Sequence, residues 1–360
     1  MGGKARLPGA GAGQVTADGR SMLREATPAC LAALVFAAPA MAQPVEDFYK
    51  RNPLTIVVGS DVTGDYDAAA RLLSRHLGRH VPGNPSVVIQ NMPGASGIKA
   101  ANWLYAVAPK DGSVIGTFNK SMPFYEVTAT ANANYRSNLF NWIGSSTWSN
   151  NLVVVTARTG VKTIEDAKQR VITMGSIGAG GTMSTYPLML NNTIGTRFKL
   201  VQGYAGGQMV DLAMERGEVD GRGSYTWADL KARRADWLKQ GKLNVLVQFG
   251  LEREHDLPDA PVPAELARDD RERAAFSFIS ADIAVGKPFV LPPGVPRDRI
   301  DALRKAFDET MRDPAYLADA RSVEAEVKPT SGEKLRAVVA AIIATPPDIL
   351  DLSRRLMNEN

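Results

Sequence analysis

A strand-forming run that ends in a loop of small residues and re-emerges as a helix occurs three times in this chain. That unit restricts the chain to an α/β fold. Residues 54–59 are apolar and rich in β-branched side chains, which reads as a buried strand. Residues 60–67 carry turn chemistry, and from Asp67 onward Ala69, Leu72, Leu73, His76 and Leu77 recur at helical spacing. Residues 86–90 form the second strand, followed by Asn91-Met92-Pro93-Gly94-Ala95-Ser96-Gly97 and a helical stretch over 98–107. Residues 171–174 form the third, followed by Gly175-Ser176-Ile177-Gly178-Ala179-Gly180-Gly181-Thr182 and a helix over 183–191. In an open α/β sheet such loops lie at the carboxyl edge of the strands, where ligands bind. The free N–H groups of the following helices point there. Loops of Gly, Ser, Thr and Ala add amides and hydroxyls with few bulky side chains in the way.

The remaining pattern continues the alternation. Strands are expected over 113–118, 139–144, 151–156, 198–202, 243–249 and 276–285, and a short strand or turn over 218–222. Helices are expected from Thr163, with Thr163 as cap and Asp166 reaching back, and over 208–216, 228–240, 297–312, 315–320, 332–344 and 347–357. Short loops between such elements argue for mostly parallel sheets. Breaks near Thr147 and Phe276 suit a chain that leaves one lobe and returns to it. The 360 residues suffice for two domains of ordinary size.

The N-terminus reads as a separate segment. An apolar run over 29–38 follows Arg20 and Arg24 and precedes the small-x-small site Ala40-Met41-Ala42. This is the pattern of a secretory signal peptide over 1–42, with translation expected to start at Met22. Residues 1–42 carry Lys4, Arg6, Arg20 and Arg24 against Asp18 and Glu25, so their removal lowers the formal net charge from +4 to +2. So slight a basic balance gives no argument for nucleic acid. The single cysteine, Cys30, lies in the leader, which excludes disulfides, thiolate metal sites and a cysteine nucleophile from the processed chain.

Several motifs together carry a family likeness. Residues 60–80, then Asn91 to Gly97 as above, then Ala108-Pro109-Lys110-Asp111-Gly112-Ser113, resemble the solute-binding proteins of tripartite tricarboxylate transporters, the Bug or TctC-like family. So do Gly203-Tyr204-Ala205-Gly206-Gly207 and residues 212–221, and the likeness runs over about 55–335. The resemblance implies a monomeric, periplasmic, two-lobed binding protein of the Venus flytrap type, each lobe a mostly parallel sheet flanked by helices. Lobe 1 would be residues 43–147 with 276–360, and lobe 2 residues 148–275. It implies capture of a small organic carboxylate and its delivery to membrane permease subunits, with no cofactor, no metal and no catalysis. The positions matching the family's ligand loops are Ser60, Thr63, Gly64, Asp65 and Tyr66, then Ala95, Ser96 and Gly97. The second lobe would add Ser176, Gly180, Gly181 and Thr182, with Tyr204 and Asp220 nearby. Asp65 departs from the family, which usually has glycine there, and sets a negative charge where an anion should dock.

Other readings stand beside this one. Asp67 reads as a helix cap and Asp220 as a strand terminator. Tyr66, Trp148, Tyr204 and Trp227 are pocket walls or core packing. His76 and His80 are four apart on one helix, but no acidic residue lies between them as in a zinc hydrolase motif. The helix over 347–357 is expected to pack on the first lobe. A rival class is an enzyme, such as a lyase with Asp65 or Asp220 as base. The chain has no Gly-x-Ser-x-Gly elbow, no P-loop and no complete dinucleotide fingerprint. A ligand sensor for a signalling partner is a third class.

Overall fold

The computed structural model describes residues 45–62, 64–128, 132–178, 181–204 and 206–358. The leader and its expected start at Met22 therefore lie outside the described residues. Strands β1 (Leu54–Val58), β2 (Val87–Asn91), β3 (Val114–Thr117) and β4 (Asn141–Ser145) are followed by β5 (Asn151–Thr156), β6 (Ile172–Gly175), β7 (Phe198–Val201), β8 (Gly221–Thr226) and β9 (Leu243–Phe249). The chain then adds β10 (Pro288–Leu291) and β11 (Thr330–Ser331). Two sheets result, in the orders β11-β4-β10-β3-β1-β2 and β7-β6-β8-β5-β9.

Each strand–loop–helix unit found in the sequence builds the parallel part of a sheet. β1 pairs in parallel with β2 and β3, and β6 pairs in parallel with β7 and β8. The rest of each sheet is antiparallel: β10 joins β3 to β4, and β5 joins β8 to β9. Both sheets are thus mixed, because the chain enters and leaves each one between its parallel units. Strands β1 and β5 are buried along most of their length, as their unbroken β-branched runs require when helices cover both faces.

Strand direction decides which edges meet. β4 runs the same way as β1, β2 and β3, so Ser145 ends on their carboxyl edge. β5 runs against β8 and β9, so Asn151 starts on the carboxyl edge of the second sheet. Residues 146–150 are all that separates the two. The loops after β1, β2 and β3 therefore face those after β6, β7 and β8. The return crossing reaches the same edge: Gly286 adopts φ +61°, and a Cβ there would lie 2.1 Å from the Thr147 carbonyl oxygen. Only glycine allows that close approach.

Two expectations are corrected. Residues 276–285 are not a strand but the last part of the helix Asp270–Val285. Asp269 caps it by accepting from Glu272 N–H at 2.8 Å. Its apolar side chains are buried on several sides, against Gly332–Ile343 and Pro347–Met357 among others, so no helical period survives in the sequence. The break expected near Phe276 falls inside this helix. The C-terminal helix Pro347–Met357 packs on Asp270–Val285 and on Thr182–Ile194 of the second sheet. Asn192 Nδ2 donates to its Leu356 carbonyl at 3.1 Å. The helix expected from Thr163 begins only at Asp166 and runs to Gln169, with Glu165 as N-cap. The reciprocal bonds are present, with Asp166 accepting from the N–H groups of Lys162 and Thr163 and Asp166 N–H donating to Thr163 Oγ1.

His76 and His80 fix the helix Asp65–Leu77 and the turn after it to Pro314–Ser322. His76 Nε2 lies 2.8 Å from Asp319 Oδ2, and His80 Nε2 lies 2.8 Å from Asp313 Oδ2. Hydrogen bonds from His80, from Ala315 N–H and from Arg79 hold the Asp313 carboxyl down at about 2. Arg75 and then His76 do the same for Asp319, also to about 2. A carboxylate with a depressed folded-state pKa adds stability above its unfolded value, near 4, and that stability is lost as pH falls toward 2. Asp313→Asn keeps the helix cap and removes the charge. Its urea midpoint should fall below wild type at pH 7, and the gap should shrink at pH 4 and close toward pH 2; a gap independent of pH would contradict this account.

Candidate functional site

Three loops of the first sheet converge through contacts that leave no room for side chains. Gly59 follows β1, and a Cβ there would lie 2.8 Å from Phe118 Cβ and 3.1 Å from Gly97 Cα. Gly97 has φ +94°, and a Cβ on it would meet Phe118 Cβ at 3.2 Å and Asn119 N at 3.4 Å. Gly94, Ala95 and Ser96 also have positive φ, the last two at +47° and +53°. Non-glycine residues in that region cost energy and cluster where a site needs a particular backbone. Ala95 and Ser96 are exposed at this edge, and Gly97 is buried beneath them.

A buried polar network holds the first loop against the second. Asp67 is 1% exposed and accepts from Arg71 Nε at 2.7 Å and Asn91 Nδ2 at 2.8 Å. The Asn91 amide also donates to the Ser60 carbonyl at 3.0 Å. Burial alone would raise the Asp67 pKa, and the Arg71 and Asn91 hydrogen bonds outweigh it, so the group stays below the usual range. Asp67 was expected to cap its helix. It lies inside the first turn instead, because the helix begins two residues earlier, at Asp65, with Gly64 as N-cap.

Four helices start at the facing edges, and each begins on glycine: Asp65–Leu77 on Gly64, Ile98–Ala106 on Gly97, Thr182–Ile194 on Gly181 and Gly207–Arg216 on Gly206. None has a side-chain cap. Elsewhere Asp269, Asp313 and Ser331 cap their helices with side-chain oxygens, while Arg297–Thr310 and Pro347–Met357 start on proline, also without a side-chain cap. Glycine supplies no side-chain acceptor; the Ile98, Ser184 and Met209 N–H groups turn back on the Ala95, Gly181 and Gly206 carbonyls, and the other N–H groups of these first turns have no side-chain cap.

The structure sorts the remaining candidates. Ser60, Gly64, Asp65, Tyr66, Ala95, Ser96 and Gly97 lie together on the first edge; Asp65 is exposed in the first helical turn. Gly181, Thr182 and Tyr204 lie on the second edge, with Thr182 Oγ1 donating to Ser224 Oγ at 3.1 Å. Thr63 and Gly180 lie outside the described residues. Ser176 is fully buried, and its hydroxyl sits 2.5 Å from that of Ser184, so it braces the turn from below. Asp220 is a correction. It precedes β8 at the opposite, amino edge, where it accepts from Thr173 N–H and Oγ1 and pairs with Arg158. Of the aromatic candidates, Trp227 is buried core, while Lys328 Nζ lies 3.4 Å over the Trp148 ring in the crossing.

Sequence reasoning missed the third loop. Lys120 N–H donates to Tyr66 Oη at 2.9 Å, and Lys120 Nζ lies 3.7 Å from Asp282 Oδ2. Burial pushes the Tyr66 hydroxyl up, partly offset by the Lys120 N–H and reinforced by Asp282 and Asp65. The loop after β3 has few glycines to mark it, and Asp282 was hidden in a stretch misread as strand. A depression of about 450 Å³ among Arg297, Arg304, Arg312 and Glu333 contains none of the edge residues. Among the described residues no three His, Cys, Asp or Glu side chains are grouped to hold a metal ion, and no helix is long and apolar enough to cross a membrane.

Two mixed sheets flanked by helices, joined at facing carboxyl edges, are the fold of two-lobed periplasmic binding proteins. A TctC solute-binding protein from Polaromonas superposes with a TM-score of 0.65 at 18% identity, covering 84% of this chain and 99% of that one. An R. palustris protein solved with adipate gives 0.53 at 20% identity, covering 84% and 97%. In sequence, the UPF0065 protein in the gbd 5′ region of Cupriavidus necator is 27% identical over 296 residues, 80% of this chain and 83% of that protein. The model of the tripartite tricarboxylate transporter family receptor, TctC, matches residues 70–344, and the chain belongs to that family.

Gly97→Ala should cost more stability than Gly160→Ala in urea unfolding. Both positions have positive φ, worth about 1–2 kcal/mol to a residue with a Cβ, but nothing lies within 4 Å of a Cβ at Gly160. Equal losses would mean that the loops do not press on Gly97.

Proposed function

We propose that the chain is an exported solute-binding protein that captures a small organic carboxylate between two closing lobes and delivers it to the membrane permease of a tripartite transporter. The lobes would be built on the two sheets, with the outward crossing at residues 146–150 and the return crossing at Gly286, after the helix Asp270–Val285 rather than near Phe276. The observation that carries this reading is the set of four glycine-started, uncapped helices on facing edges. A carboxylate there gains charge-assisted hydrogen bonds and about 0.3–1 kcal/mol from each helix dipole, up to ~2 kcal/mol where partly buried. Closure would remove water and strengthen each contact. Adipate in an R. palustris protein of the same fold supports the ligand class.

In this reading Ser60, Thr63, Gly64, Asp65, Tyr66, Ala95, Ser96 and Gly97 form the first wall, and Gly180, Gly181, Thr182 and Tyr204 the second. Ser176 supports the second from beneath. The protein acts as a periplasmic monomer, without catalysis, cofactor or metal. A sensor role, with the closed form presented to a signalling partner, would use the same site.

A thermal-shift screen of the processed chain against di- and tricarboxylates and aromatic acids should give stabilisation of about 2.7 kcal/mol at a hundredfold excess over the dissociation constant. Ser96→Trp and Thr182→Trp should abolish the shift while leaving the unliganded melting temperature near wild type. A response confined to sugars or cations would remove the ligand class, and recovery of altered ligand would indicate an enzyme.

A further inference from the structure

The cleft wall formed by the third loop contains a charge pair that capture by helix N-termini does not use. Lys120 lies in the loop after β3 and is anchored to the first loop through its N–H bond to Tyr66 Oη. Its Nζ is 3.7 Å from Asp282 Oδ2, longer than a hydrogen bond, and has no acceptor within bonding distance among the described residues. Charge-assisted hydrogen bonds are about 2.7–2.9 Å long, so the two charges attract without a direct bond.

Asp282 is held in an unfavourable place. It lies in the last turn of Asp270–Val285, where the helix dipole opposes a carboxylate. Its side chain is 16% exposed. Oδ2 accepts a 3.3 Å bond from Ser121 Oγ, and Oδ1 is buried with no hydrogen-bond partner among the described residues. Leaving such an oxygen unpaired is costly and calls for a reason. Tyr66 and Tyr125 from the first lobe and Tyr186 from Thr182–Ile194 all lie within reach of its charge. Ser96 in turn stands close enough to the Tyr125 hydroxyl to offset part of the rise that burial causes there. The pair therefore stands beside the Ala95-Ser96-Gly97 turn and is also reached by a helix of the opposite sheet.

We propose that Lys120 and Asp282 select ligands whose carboxylate bears a hydrogen-bond donor on a neighbouring carbon. The Lys120 ammonium takes a carboxylate oxygen, and the free oxygen of Asp282 accepts from the ligand's hydroxyl or ammonium group. Rotation about the Asp282 Cβ–Cγ bond, a soft torsion, exchanges the two oxygens and presents either one. The favoured class is hydroxy- and amino-substituted carboxylates over plain ones. The assignment rests on the carboxylate-binding reading above.

The test is calorimetry on the processed chain with probes matched in carbon skeleton: succinate, L-malate and L-aspartate, and adipate against 2-aminoadipate. Wild type should bind a donor-bearing acid at least tenfold more tightly than its plain partner. Asp282→Asn should reduce that ratio to about threefold or less, and Lys120→Met should weaken all carboxylates while the melting temperature stays near wild type. General damage to the fold would weaken every probe without changing the ratio. A plain acid as the tightest ligand, or an unchanged ratio in Asp282→Asn, would overturn the selectivity and leave the carboxylate reading standing. Failure of wild type to bind any acid would overturn both.

Discussion

The site depends on two strand edges being brought face to face by a very short crossing. β4 ends at Ser145 and β5 starts at Asn151, each on the carboxyl edge of its own sheet. With so few residues between them, the loops at those edges have no other place to lie. Four helices then point their open N-termini into the space between, because each starts on a glycine. The chemistry offered there is main-chain N–H and small hydroxyls, a surface suited to an anionic group.

The crossing is tied to both sides by polar contacts. Ser146 N–H donates to the Lys287 carbonyl and Lys287 N–H to the Thr147 carbonyl, joining outward and return passes. On the far side Trp227 N–H donates to the Asn150 carbonyl at 2.9 Å. Glu254, buried, accepts from Asn150 N–H and from Lys328 Nζ at 2.6 Å, and Asn150 Nδ2 donates to Gln248. Lys334 with Glu252 and Lys231 with Glu326 add further pairs between the segment around β11 and the second sheet. These bonds hold the crossing in one arrangement, although Asn150 Oδ1 and Glu326 Oε2 are buried without a hydrogen-bond partner among the described residues. The C-terminal helix adds an apolar link by lying on Asp270–Val285 and Thr182–Ile194.

Much of this was legible beforehand, and the failures have physical causes. β1 and β6 were readable because a buried parallel strand is a continuous apolar run, β2 because its run is β-branched although it is a half-exposed edge strand, and their loops because a sharp turn needs glycine. Residues 276–285 were misread because a helix covered on several sides loses its polar face. Asp220 was misassigned because a carboxylate near a glycine-rich motif looks the same at either end of a strand; its bonds to Thr173 place it at the amino edge. Lys120 and Asp282 escaped notice because they are far apart in sequence and neither lies in a marked loop.

The amino-acid order alone determined the strand–loop–helix units and the family, since apolar periodicity and local turn chemistry are short-range properties. Tertiary structure alone decided which strands run antiparallel, that the two carboxyl edges meet, and which side chains line the space between them. Those outcomes depend on pairing partners and strand directions set by residues distant along the chain, and no local pattern encodes them.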